Sequence, residues 1–104
     1  MNLLTNELRQ RLPKLYETQE QKDPMLQVKF FAPWTSWTWY ATEFDGNDLF
    51  FGLVEGFETE WGYFSLKELE DVRGPGGLRI ERDLYFEPTP ASQVDGHHPN
   101  ATRK

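Results

Sequence analysis

The sequence predicts an α+β domain: a four-stranded, mainly antiparallel sheet, an N-terminal helix and a second short helix after the strand meander. Three observations predict it. The stretch from Trp34 to Phe64 holds all four tryptophans and two turn signals between runs of β-forming residues. Leu4, Leu8 and Leu12 recur at the spacing of an amphipathic helix. Ser65 and Glu68 form a capping-box pattern just ahead of Leu66, Leu69 and Val72.

Taken in order, Thr5 is the expected N-cap of the first helix, with Glu7 near its positive end, and Pro13 stops it. A helix this short must dock on the sheet. The polar run from Glu17 to Pro24 is expected as a surface loop. Met25 to Phe31 alternates, with Leu26, Val28 and Phe30 on one face and Gln27, Lys29 and Phe31 on the other, as a half-buried strand does. Pro33 interrupts the strand pattern, and Trp37 to Phe44 resumes it. In that strand Trp37 and Trp39 are expected to point one way, Tyr40 and Phe44 the other.

Asp45-Gly46-Asn47-Asp48 is a hairpin turn signal. Leu49 to Val54 is nearly all apolar, the mark of a central strand, and Phe57 to Phe64 follows the turn at Glu55-Gly56. The second helix should run from Leu66 to about Val72. It should end at Arg73-Gly74-Pro75-Gly76-Gly77, with Gly74 as a left-handed cap. Residues 78–86 fit helix or strand, with Leu84 to Phe86 reading as a short edge strand. From Pro88 the chain turns Pro- and Ser-rich, so one domain over 1–88 and a flexible tail over 89–104 are expected.

Composition narrows the function classes. Aromatics make up 15% of 104 residues, so the core is built from rings more than from aliphatics. There is no cysteine, which removes disulfides and Cys-based metal or redox chemistry. No apolar stretch approaches the length of a bilayer span and no basic-then-apolar leader opens the chain, so a cytoplasmic protein with no membrane attachment is expected. The net charge is −6 and is concentrated in the middle: nine acids against Lys67 alone between Glu43 and Asp71, while both flanks are slightly basic. That middle repels phosphate backbones and argues against nucleic acid as partner.

Catalytic constellations are weak. The two histidines, His97 and His98, lie in the expected tail, so Ser-His or Cys-His nucleophilic chemistry has no base to work with. Asp45 and Asp48 share one tight turn, too few oxygens for a calcium site. The glycine-rich run at 73–77 follows a helix, whereas a phosphate-cradling loop precedes one. No catalytic residue, metal site or cofactor is therefore expected.

The runs KFFAPWTSWTWYATEFDG (29–46), FFGLVEG with GYFSLKELE (50–70) and VRGPGGLRIERDLYF (72–86) resemble the bacterial family catalogued as domain of unknown function 2958. The resemblance implies a small stand-alone protein, of a kind frequently carried on plasmids and integrative elements beside genes for conjugation and for evading host restriction. It implies no activity, cofactor or catalytic residue.

The aromatics exceed what one sheet face needs, and two short helices cannot cover both faces. Exposed rings beside acids point to a protein partner with a basic surface. Trp34, Trp37, Trp39 and Trp61 are the expected anchors; Glu43, Asp45, Asp48, Glu58 and Glu60 would steer association. The expected function is a non-enzymatic interaction protein of a mobile element with an accessory or anti-defence role. The alternatives are a single-stranded nucleic-acid-binding module using the same rings and a metal-assisted hydrolase. A homodimer through an aromatic seam is also open.

Overall fold

The structure, a computed structural model, describes residues 2–94. Helix α1 (Asn6–Arg11) starts where expected: the Thr5 hydroxyl oxygen accepts from the Leu8 N–H at 3.2 Å. Leu4 and Leu12 at its ends are buried, Leu8 packs beside them, and the Pro13 carbonyl accepts from the Phe44 N–H at 2.9 Å. The leucine stripe thus reaches the sheet.

The alternating run divides at Gln27. Strand β1 (Met25–Leu26) pairs with the far C-terminal end of the described chain, while β2 (Val28–Phe31) enters the main sheet. The alternation itself holds, with Leu26, Val28 and Phe30 all buried, but Leu26 packs into a different cluster from Val28 and Phe30. Strand β3 (Thr38–Phe44), β4 (Leu49–Glu55) and β5 (Thr59–Ser65) form the expected antiparallel meander.

Helix α2 (Leu66–Asp71) is capped by Ser65, whose hydroxyl oxygen accepts from the Glu68 N–H at 3.2 Å, and buries Leu66 and Leu69. Gly74 does not take the left-handed conformation expected of it; Gly76 and Gly77 do, at φ 66° and 82°. Gly74 has another role. A Cβ there would meet the Trp34 indole at 2.4 Å, so the ring lies flat on the glycine backbone.

A fifth strand joins the expected four. Strand β6 (Glu81–Arg82) pairs antiparallel with β2, giving the order β5-β4-β3-β2-β6. Leu84 to Phe86, the expected edge strand, is a turn: the Asp83 carboxylate accepts from the Tyr85 N–H and its carbonyl from the Phe86 N–H, which bends the chain off the edge. The chain also continues to fold past Pro88. Strand β7 (Thr89–Pro90) pairs with β1, and the Asp23 carboxylate accepts from both the N–H and the hydroxyl of Ser92, at 2.9 and 2.6 Å. Residues 89–94 of the expected tail thus pack on the body of the protein, and the rest of it, with His97 and His98, lies outside the described residues.

The sheet has two unlike faces. On one, Phe30, Phe44, Phe50 and Phe64 form a chain of rings with centroids 4.5–5.5 Å apart beneath α1, α2 and Ile80. On the other, Leu26, Tyr40, Leu53 and Ala91 are buried with Trp61, Phe86 and Val94 packed around them. The second face is thus covered by the C-terminal segment, which sequence alone marked as tail.

Phe44 lies on the first face with Trp37 and Trp39, opposite to expectation. The reason is a β-bulge. Pairing between β3 and β4 shifts between Ala41 and Glu43, so Thr42 is an extra residue, its hydroxyl donating to the Phe51 carbonyl at 3.0 Å. One inserted residue inverts every side chain after it.

Candidate functional site

The bulge decides the fate of Glu43, expected on an acidic binding surface. It turns the side chain into the protein, where it is 0% exposed. One carboxylate oxygen accepts from the Tyr16 N–H at 2.7 Å; the other accepts from the Thr18 N–H at 2.8 Å and from the Thr18 hydroxyl. Glu43 cannot steer a partner. It fastens the chain after α1 to the sheet, and it buries Thr18 within what was expected to be a surface loop. Tyr16 sits at φ 72°, a conformation that costs a non-glycine residue roughly 1–2 kcal/mol, and the Glu43 contact offsets that strain.

Asp45 and Asp48 are likewise occupied locally. The Asp45 Oδ1 accepts from the N–H groups of Asn47, Asp48 and Leu49 at 2.7–3.0 Å, and Asp48 accepts from the Ser65 hydroxyl at 2.6 Å and the Lys67 N–H at 2.8 Å. Asp45 makes the turn, and Asp48 ties that turn to the start of α2. Partial burial raises the Asp45 carboxyl, but the three amide donors outweigh it and hold the pKa below its ordinary 3.8. A depressed carboxyl stabilises the fold above its unfolded value and loses that contribution as pH falls through the folded one. Asp45→Ala is therefore expected to cost about 1 kcal/mol near neutrality, a modest figure because solvent reaches the group. The gap to the parent protein should narrow at a pH well below the ordinary 3.8. Urea melts at the two pH values check this; a gap that widens in acid contradicts it.

The remaining expected residues separate into a shelf and two outliers. Trp37 and Trp39 lie with ring centroids 5.9 Å apart, and Phe57 meets Trp37 edge-on at 5.4 Å. Gly56 allows this: a Cβ there would meet the Trp37 ring at 2.4 Å, so the indole lies over the turn. Trp39, Val54 and Glu60 stand across from one another on β3, β4 and β5, and Glu58 precedes β5 on the same rim. Together Trp37, Val54, Phe57, Glu58 and Glu60 line an open groove of about 220 Å³. Phe57 is 96% exposed and both glutamates are exposed. Neither glutamate is in an ion pair among the described residues.

Trp34 and Trp61 do not join the shelf. Trp34 packs on Gly74 and the main core. Trp61 is on the opposite sheet face, stacked on Phe51 at 6.0 Å, with its Nε1–H buried and without a hydrogen-bond acceptor among the described residues. Phe57 is the residue that sequence reasoning placed differently, as the first residue of the last strand. Its signal was an apolar residue directly after a glycine turn and directly before an acid.

A larger groove of about 590 Å³ runs along the β2–β6 edge, where Lys29, Phe31, Arg82 and the exposed Tyr85 lie. Its cations are already engaged: Lys29 with Asp83 at 3.8 Å, and Arg82 donating to the Asn2 and Leu3 carbonyls at 2.6 and 2.8 Å. No group of three or more potential metal ligands occurs among the described residues, and no helix is long and apolar enough to cross a membrane.

Residues 3–94 match the family described as "Protein of unknown function (DUF2958)". The chain belongs to this family. The match spans both sheet faces and the C-terminal pairing of β1 with β7, so the whole described architecture is that of a DUF2958 domain. No curated protein and no solved structure matches this DUF2958 chain.

Proposed function

We propose that this DUF2958 protein is a non-catalytic interaction protein whose shelf of Trp37, Trp39 and Phe57, flanked by Glu58 and Glu60, binds a basic segment of a partner protein. One observation carries the reading: the half-buried Trp37 indole, the exposed Phe57 ring and two exposed carboxylates converge on one open groove, with Trp39 beside Trp37 at its rim. Ring faces attract Lys and Arg side chains by their quadrupole, and nearby carboxylates add direct charge pairing. The same acids oppose a phosphate backbone, which disfavours the nucleic-acid alternative. The setting implied by the family resemblance, plasmids and integrative elements, makes a host defence or DNA-processing protein the fitting kind of partner.

The test uses a fluorescent arginine- and lysine-rich peptide as probe, with the parent protein, Trp37→Ala, and Glu58→Gln with Glu60→Gln. Each variant is expected to weaken binding about tenfold, the size of one lost anchor or charge pair. The Glu58/Glu60 variant should melt with the parent, because surface carboxylates contribute little to stability. Unchanged affinity in both variants would refute the shelf reading. Asp45 and Asp48 are left intact, since replacing them would perturb the turn and the start of α2.

A further inference from the structure

The outer edge of β5 is long and regular, and no strand among the described residues pairs with it. Strand β5 is the terminal strand of the five-stranded sheet, seven residues in length, and pairs with β4 in unbroken register. Its sequence, TEWGYFS, contains no lysine, no proline and one charge, Glu60. Edge strands usually carry one of those devices, or a bulge or covering segment, because a bare edge templates pairing. The opposite edge shows the contrast: β6 is two residues long, and the chain bends off it at Asp83.

The ladder fixes which backbone groups the edge presents. Gly56 N–H donates to Glu58 O at 3.0 Å and Leu66 N–H to Asp48 O at 2.8 Å, both in register with the β4–β5 pairs. Antiparallel ladders alternate, so Glu60, Gly62 and Phe64 direct their N–H and C=O groups at β4. Thr59, Trp61, Tyr63 and Ser65 direct theirs to the sheet edge.

We propose that β5 pairs antiparallel with β5 of a second copy of this chain, about a two-fold axis at Gly62, to form a continuous ten-stranded sheet. The strand is self-complementary about that residue. Gly62 is the middle of Thr59–Ser65, so this register engages all four edge-facing residues of each copy: Thr59 with Ser65, and Trp61 with Tyr63 of the other chain. Cross-strand aromatic pairs of that kind stabilise sheets, and two form by symmetry. Charge is accommodated as well. Glu60 falls opposite Phe64 of the second copy, and the two Glu60 side chains are separated by four residues of strand, roughly 14 Å. At the axis itself Gly62 faces Gly62, and nothing lies within 4 Å of a Cβ built there. This seam does not depend on the Trp37 shelf.

The axis position supplies the test. The chain has no cysteine, and residues facing each other in a non-hydrogen-bonded antiparallel pair lie about 4.5 Å apart at Cα, within disulfide range. Full-length Gly62→Cys is expected to form a covalent dimer under mild oxidation, much faster than Glu70→Cys on the exposed surface of α2 at the same concentration. The parent protein should sediment at twice its 12.3 kDa at micromolar concentration. Gly62→Lys, which sets two ammonium groups face to face, should raise the dimer dissociation constant about tenfold or more while leaving circular dichroism unchanged. A parent protein that sediments as a monomer would overturn the proposal. So would Gly62→Cys cross-linking no faster than the Glu70→Cys control, or a dimer that Gly62→Lys does not weaken.

Discussion

Glu43→Ala is expected to destabilise the protein by about 3 kcal/mol, enough to lower the melting temperature by ~10 °C or more in a domain of this size. The substitution leaves three donors without their acceptor: the part-buried N–H of Tyr16 and, at buried Thr18, the N–H and the hydroxyl. Each buried donor left unsatisfied costs roughly 1–3 kcal/mol, partly recovered where solvent enters. Tyr16 at φ 72° also loses the contact that holds its conformation. Glu43→Gln separates the contributions. It keeps the volume and one accepting oxygen, but sets an amide N–H₂ against at least one of the same donors, so a smaller loss is expected. Urea denaturation of the three proteins measures this, with hydrogen exchange at 14–18 as a local readout. If Glu43→Ala melts with the parent, the carboxylate does not fasten the segment after α1.

Gly52→Ala is expected to be comparably severe, at about 3 kcal/mol or above. Gly52 sits mid-β4 opposite Ala41, one residue before the bulge, where the backbones close in. A Cβ on Gly52 would meet the Tyr40 carbonyl oxygen at 1.7 Å, its carbon at 2.8 Å and the Ala41 Cα at 3.0 Å. All three are backbone atoms of the neighbouring strand, so no rotamer change relieves the clash and β3 must move. Such movement displaces Tyr40 and Ala41, which lie in the two different core clusters. Across from it on β5, Gly62 has nothing within 4 Å of a Cβ built on its backbone, so the clash is particular to Gly52. Equal melting temperatures for Gly52→Ala and the parent would mean that the two strands are not this close.

The elements whose cause is local were readable from residues alone. Thr5, Ser65 and Asp45 cap or turn the backbone through their own side chains within four residues. The meander followed from β-forming runs and turn signals, and the ring-built core from composition. Of the nine residues expected at a binding surface, Trp37, Trp39, Glu58 and Glu60 lie on one groove or its rim.

Long-range pairing decided the rest. A two-residue strand such as Glu81–Arg82 or Thr89–Pro90 has no period to detect; it exists because β2 and β1 offer edges to pair with. The bulge at Thr42 has no local signature either, since Trp37 to Phe44 is β-forming throughout, and it follows from how β3 fits β4. That single inserted residue moved Phe44 to the helix-covered face and Glu43 to the opposite one, where Tyr16 and Thr18 hold it. The sequence by itself determined the fold class, the caps and an acidic, aromatic middle. Tertiary structure decided which of those acids and rings meet water, because a sheet's side chains alternate with a period of two, and one unpaired residue reverses the assignment for all that follow.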